Sequence, residues 1–106
     1  MIVLTTTAAS LHGAVEQVRA QREWISGVEL RVDLLDDADQ REAGRFPGLL
    51  EQAGCERLSL IATVRRARDG GRSELSDHER LALLHETVEA GFTFIDVEAD
   101  LQSPEA

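Results

Sequence analysis

Apolar and polar residues alternate strictly along Gly27-Val28-Glu29-Leu30-Arg31-Val32-Asp33-Leu34, with Val28, Leu30, Val32 and Leu34 on one side and Glu29, Arg31 and Asp33 on the other. That period of two predicts a β-strand over 28–35 with one greasy and one charged face. Three further stretches read as strands: 2–7, 58–66 and 92–98. Between them the apolar spacing switches to the helical period. Ser10 is placed to cap a helix running to about Glu23, with Ala14, Val15, Val18 and Trp24 on its buried side and Gly27 closing it. Residues 36–46 are acidic and read as irregular, and Pro47 suits the first turn of a short helix through Leu49, Leu50 and Ala53 to Gly54. Ser76 and Glu79 have capping-box spacing and open a helix that turns Leu81, Leu83, Leu84 and Val88 inward before Gly91. Gly70-Gly71 breaks either element and marks 68–72 as a loop, and the tail through Pro104 reads as frayed. The order β-α-β-α-β-α-β implies right-handed crossovers and a parallel sheet.

The polar positions of the four strands agree with one another. Glu29, Arg31 and Asp33, then Thr63 and Arg65, then Asp96 and Glu98, with Thr5 and Thr7 in the first strand, all lie toward the C-terminal ends. A parallel sheet is normally covered on both faces and apolar throughout. A half-solvated antiparallel sheet would explain any one of these strands taken alone. Four agreeing in face and end, with helices between them, point to the mouth of an α/β barrel.

Composition narrows the functional classes. A formal net charge of −9 argues against nucleic acid, whose phosphates call for clustered cations. No apolar run approaches the length of a membrane span and no signal peptide is apparent, so a cytoplasmic protein is expected. Cys55 is the only cysteine, which excludes an internal disulfide and reads as a small packing residue. All 11 basic residues are arginine. Codon bias accounts for the preference, but without a lysine this chain alone cannot form an imine through a lysine amine.

Other candidates carry less. His78 and His85 share one helix face without further metal ligands, and His12 reads as a capping or surface residue. Asp36, Asp37 and Asp39 lack the central glycine and terminal Glu of an EF-hand. Gly70-Gly71 is followed by no Gly-Lys-Ser/Thr and is no phosphate loop, although Arg66, Arg68 and Arg72 around it could steer an anion. No metal and no cofactor is expected.

Taken together, Glu29-Leu30-Arg31-Val32-Asp33, Thr63-Val64-Arg65, Gly70-Gly71 and Ile95-Asp96-Val97-Glu98 resemble the N-terminal half of type I 3-dehydroquinate dehydratase, from about residue 2 to residue 101. The resemblance implies a partial TIM (β/α)8 barrel, with four of its eight strands and three intervening helices forming a single partial domain over 1–106. It also implies a small-molecule ligand like 3-dehydroquinate, an intermediate of the shikimate pathway to aromatic amino acids. Glu29 and Arg31 would hold substrate hydroxyls and each other, and Arg65 would contact the substrate. Thr5 stands where the family often has a serine near the substrate, and Asp69 where it usually has a glutamate. Asp96 would orient a catalytic histidine.

In the family a lysine on a later strand forms a Schiff base with the ketone, and a histidine, also on a later strand, moves the protons. Neither can be assigned here, so no catalytic residue is expected in this chain. It is expected to be inactive alone and to need a second polypeptide half, or a second copy of itself, to close the barrel. The alternative is a non-catalytic half-barrel module that binds a shikimate-like metabolite or a partner subunit.

Overall fold

The computed structural model describes residues 1–100, so the expected fraying of the tail through Pro104 lies outside the described residues. Four strands, β1 (Val3–Thr5), β2 (Gly27–Arg31), β3 (Ser59–Thr63) and β4 (Phe94–Asp96), form one sheet in the order β1-β2-β3-β4. Every neighbouring pair is parallel. The helices are α1 (Leu11–Gln21), α2 (Asp37–Arg41), α3 (Phe46–Gln52) and α4 (Asp77–Glu89). This is the expected α/β half-barrel order, in which sequential strands are joined by helical crossovers.

Each helix starts where its sequence dictates. Ser10 caps α1 by accepting from the Gly13 N–H at 2.9 Å, and Pro47 occupies the first turn of α3. At α4 the Ser76 hydroxyl accepts from Glu79 N while the Glu79 carboxylate accepts from Ser76 N, a complete capping box. The helices cover the face that carries Val28, Leu30, Leu60 and Ala62, all buried with Ala14, Val15, Val18, Phe46, Leu50, Leu84 and Phe92. Phe46 stacks on Phe92 with ring centroids 6.2 Å apart, joining α3 to the approach of β4.

Several expectations are corrected. The strands are shorter than the alternation suggests. β2 stops at Arg31 and the chain turns through a 3-10 segment, Val32–Leu34, that takes Asp33 off the charged face and buries it. Helix α1 ends at Gln21, with Arg22 as its C-cap, and Gly27 is the first residue of β2 rather than the helix stop. Trp24 is 70% exposed because it lies beyond the end of α1, where no element among the described residues covers it, and Val88 is exposed on the outer side of α4. The acidic stretch is not irregular. Asp36 caps α2 by accepting from Asp39 N, and Asp39 in turn accepts from Leu11 N at 2.8 Å, tying α2 to the start of α1. The connections therefore contain four α-helices, not three.

Candidate functional site

Register determines what the open face presents. Thr5, Glu29, Ile61 and Phe94 lie in one row across the sheet, and Arg31, Thr63 and Asp96 in the next row toward the strand C-termini. The row nearer the C-termini is wholly polar, so polarity increases toward the mouth, as the sequence pattern implies.

Glu29 is the centre of the first group. Its Oε1 accepts from the Thr5 hydroxyl at 2.9 Å and its Oε2 from the Thr63 hydroxyl at 2.6 Å. Two donors on adjacent strands fix the carboxylate, leaving its remaining lone pairs as acceptors for a ligand hydroxyl. Arg31 does not pair with Glu29, and the expected mutual contact is corrected. Its guanidinium turns instead to Asp33, donating through Nε at 2.9 Å and a terminal nitrogen at 2.7 Å.

Asp33, only 3% exposed, also accepts from the backbone N–H of Arg65 at 3.2 Å and of Arg72 at 3.1 Å. Burial opposes its charge, but Arg31 and these two N–H groups outweigh burial and hold the carboxyl below its ordinary value. The Arg31 guanidinium is correspondingly raised by its hydrogen bond to Asp33. Asp33 thus joins the ends of β2 and β3 to the glycine loop.

The loop itself folds back on β3. Gly71 N donates to Arg66 O and Ser73 N to Arg65 O. A Cβ on Gly71 would fall 2.2 Å from Arg65 O, so only glycine allows this approach. Gly70, at φ +86°, turns the chain.

A cleft of about 320 Å³ opens at the C-terminal ends of β3 and β4, lined by Thr63, Arg65, Arg66, Asp69, Asp96, Val97, Glu98 and Asp100. The structure therefore brings Thr63, Arg65, Asp69 and Asp96 to one hollow. Glu29 joins it through Thr63, while Thr5 and Arg31 stand one strand or more away. Arg65 is half-buried, and among the described residues its guanidinium makes no hydrogen bond or ion pair. Asp69 does have a partner, accepting from Arg66 Nε at 2.6 Å.

A second group of charges went unrecognised in the sequence. Arg80, 1% exposed, donates to Val64 O at 2.9 Å, to both Glu98 oxygens at 2.8 and 3.0 Å, and to Asp77 at 2.6 Å. Arg66, 8% exposed, binds Asp100 at 2.8 Å as well as Asp69. Its guanidinium is raised, chiefly by the hydrogen bond to Asp100, and Asp100 is lowered by the same contact. The only local signals were the i, i+3 spacings Arg66–Asp69 and Asp77–Arg80. His12, His78 and His85 are exposed on helices outside the cleft, and Cys55 is buried. Among the described residues no cluster of side chains could hold a metal ion, and no helix is long and apolar enough to cross a membrane.

Comparison with known proteins gives this geometry a lineage. The 3-dehydroquinate dehydratase of Pyrococcus abyssi is 33% identical over 98 residues, covering 92% of this chain and 40% of that protein. The 3-dehydroquinate dehydratase of Methanococcus maripaludis strain C6 is 28% identical over 98 residues, covering 92% of this chain and 41% of that protein. The chain thus spans about two fifths of the length of these relatives. The solved structure of 3-dehydroquinate dehydratase from Enterococcus faecalis shares the fold, with a TM-score of 0.77 at 22% identity over 94% of this chain and 42% of that one. The family described as type I 3-dehydroquinase matches residues 2–106, and the chain belongs to it.

Proposed function

We propose that this chain is the substrate-contacting N-terminal half of a 3-dehydroquinate dehydratase barrel. It would bind 3-dehydroquinate, a polyhydroxylated ring with one carboxylate, at the strand ends. The observation that carries the reading is the open Arg65 guanidinium in the same cleft as Thr63 and Asp96, with Glu29 held behind it by Thr5 and Thr63. Arg65 offers a planar fork of donors to the ligand carboxylate. Glu29 and Asp96 offer acceptors to ring hydroxyls, and Asp96 is placed to orient a histidine brought by a facing strand. Arg31 acts by fixing Asp33 and the end of β2 rather than by clasping Glu29.

The lyase chemistry of the family runs through an imine, which needs a lysine amine. These 106 residues contain none, so they bind and orient while the nucleophile and the proton-carrying histidine belong to the part of a cytoplasmic barrel that they do not span. The purified chain should titrate saturably with 3-dehydroquinate by calorimetry, and Arg65→Met should abolish the heat. It should show no turnover by itself and gain turnover when mixed with a C-terminal half carrying the lysine. Turnover by the chain alone, or absence of binding both alone and in the mixture, would overturn the reading.

One observation favours a second reading, a non-catalytic module for a shikimate-like metabolite or a partner subunit. Asp69, where the family usually has a glutamate, is taken up by Arg66. Saturable binding that no lysine-bearing half converts to activity would support it.

A further inference from the structure

The cleft holds an imbalance that needs a physical explanation. Its lining carries four carboxylates, Asp69, Asp96, Glu98 and Asp100, and two guanidinium groups, Arg65 and Arg66. In such a lining an open cation is the first thing a flexible carboxylate should cover, because a charge-assisted pair is among the stronger contacts available at a surface. Yet the Arg65 guanidinium has no partner among the described residues, and three of the four carboxylates, all but Asp96 on β4, are held by other guanidinium groups. Glu98 is held by Arg80, at 2.8 Å from the guanidinium. Asp100 is shared by Arg66 at 2.8 Å and Arg68 at 3.1 Å. Asp69, on the glycine loop that begins just beyond Arg65, is held by Arg66 Nε at 2.6 Å.

Arg65 and Arg66 both line the cleft, Arg65 half-buried and Arg66 buried among the carboxylates it binds. Asp69 is itself partly exposed, and a single ion pair is what keeps it in place.

We propose that Arg66 is a positioning residue that acts through Asp69: it withholds this carboxylate from Arg65 and so keeps Arg65 open to an anionic ligand. Asp100, gripping the other end of the Arg66 guanidinium, fixes the fork in the orientation that presents Nε to Asp69. Removing Arg66 leaves Arg65 as the remaining guanidinium lining the cleft, and Asp69 turns to it. The ligand then competes with an internal carboxylate. The consequence for binding rests on the functional reading above, whereas the state of Arg65 does not.

The test is therefore run first without ligand. The full chain is labelled with phenylglyoxal, and modification at Arg65 is followed by peptide mass spectrometry. Arg65 should label readily in the wild type and about fivefold more slowly in Arg66→Gln, the scale expected of a partly exposed ion pair. It should recover the wild-type rate in Arg66→Gln/Asp69→Asn. A purely structural role for Arg66 would not predict recovery on removing a second charge. Circular dichroism reports whether each variant folds. Should Arg66→Gln fail to fold, Arg66→Lys against Arg66→Lys/Asp69→Asn makes the same comparison with a single-pronged cation. Unchanged Arg65 labelling in the Arg66 variants, or no recovery on adding Asp69→Asn, overturns the proposal. Titration with 3-dehydroquinate should then follow the same order. A wild type that labels as expected but binds no 3-dehydroquinate sinks the functional reading and leaves the role of Arg66 standing.

Discussion

Replacing Asp33 by asparagine removes one negative charge and almost no volume, which makes it the sharpest test of how the mouth is held together. The carboxylate accepts four hydrogen bonds, two from the Arg31 guanidinium and one each from Arg65 N and Arg72 N. An amide keeps one oxygen and turns an NH2 toward donors, so about two of these bonds are lost. Hydrogen bonds to charged groups are worth about 1.5–3 kcal/mol each, and breaking one side of a buried ion pair costs about 3–5 kcal/mol. The Arg31 side chain retains 11% exposure, through which water can partly satisfy it, so the lower figure applies and Asp33→Asn should cost about 3 kcal/mol. That is a large part of the ~5–15 kcal/mol available to a domain of this kind.

Urea unfolding at neutral pH followed by circular dichroism measures the loss. Its pH dependence supplies a second check. The folded carboxyl lies below its ordinary 3.8, so the unfolded chain takes up the proton first as pH falls. The stabilisation is complete well above 3.8 and fades as pH drops through that value toward the folded one. Asparagine does not titrate, so the gap between wild type and variant should narrow from pH 7 to pH 3. A cost below ~1 kcal/mol at pH 7, or a gap that stays constant into acid, would refute the assignment of Asp33 as the charged hub.

Three further perturbations and one surface control probe separate parts of the same frame. Gly71→Ala drives a Cβ to 2.2 Å from Arg65 O and should cost at least ~2 kcal/mol in urea unfolding, together with faster amide exchange at Arg72. Arg80→Met removes the shorter ion pairs of Glu98 and Asp77, which keep the longer ones to Arg66, and should cost about 2–4 kcal/mol, discounted because both carboxylates keep some solvent; the loss should appear as a lowered thermal midpoint. Ser76→Ala removes the acceptor for Glu79 N and should cost about 1 kcal/mol with hydrogen exchange quickened in the first turn of α4, whereas Trp24→Ala, at an exposed position, should stay within ~0.5 kcal/mol.

The parts of the fold legible in the sequence are those set by local rules. Alternation identified β2, β3 and β4, a short apolar run turning polar identified β1, and Ser10, Pro47 and the Ser76–Glu79 pair marked three helix starts that the structure reproduces. What alternation cannot give is where a strand loses its neighbour. Val32 and Leu34 continue the period, but β3 pairs with β2 only as far as Arg31, and the freed chain curls so that Asp33 meets three donors-bearing residues at once. Trp24 and Val88 are apolar at the right helical period, and exposed, because burial needs a facing element as well as a face. Helix α2 was hidden by its lack of apolar residues, although Asp36 and Asp39 have cap spacing. At the site, Glu29 beside Thr5 follows from register, while Thr63 reaches it diagonally from the next row. The pairing of Arg80 with Glu98 spans 18 residues and two elements, and no window short enough to read by pattern contains it.

The mouth can be understood by following each guanidinium to its partner. Arg31 is committed to Asp33, Arg80 to Glu98 and Asp77, and Arg66 to Asp69 and Asp100. Arg31 fixes the Asp33 carboxylate that ties the end of β2 to the glycine loop through Arg72 N, and the other two arginines join α4, and the glycine loop, to the stretch after β4. The arginine-only composition suits such work, since a guanidinium can bond two or three acceptors in a fixed plane where an ammonium acts as a point charge. Committing these three cations to structure leaves Arg65 as the unpaired guanidinium lining the cleft, in a chain of net charge −9. On the proposed reading, an incoming anion is repelled by the chain as a whole and, within the cleft, is drawn to this point. A ligand with one carboxylate and several hydroxyls can satisfy Arg65 while offering donors to Asp96 and Glu29. A second carboxylate on the same ring would instead meet acidic groups that have no protons to give. On that reading, selectivity for a monoanionic polyol follows from which arginines in the cleft are already occupied.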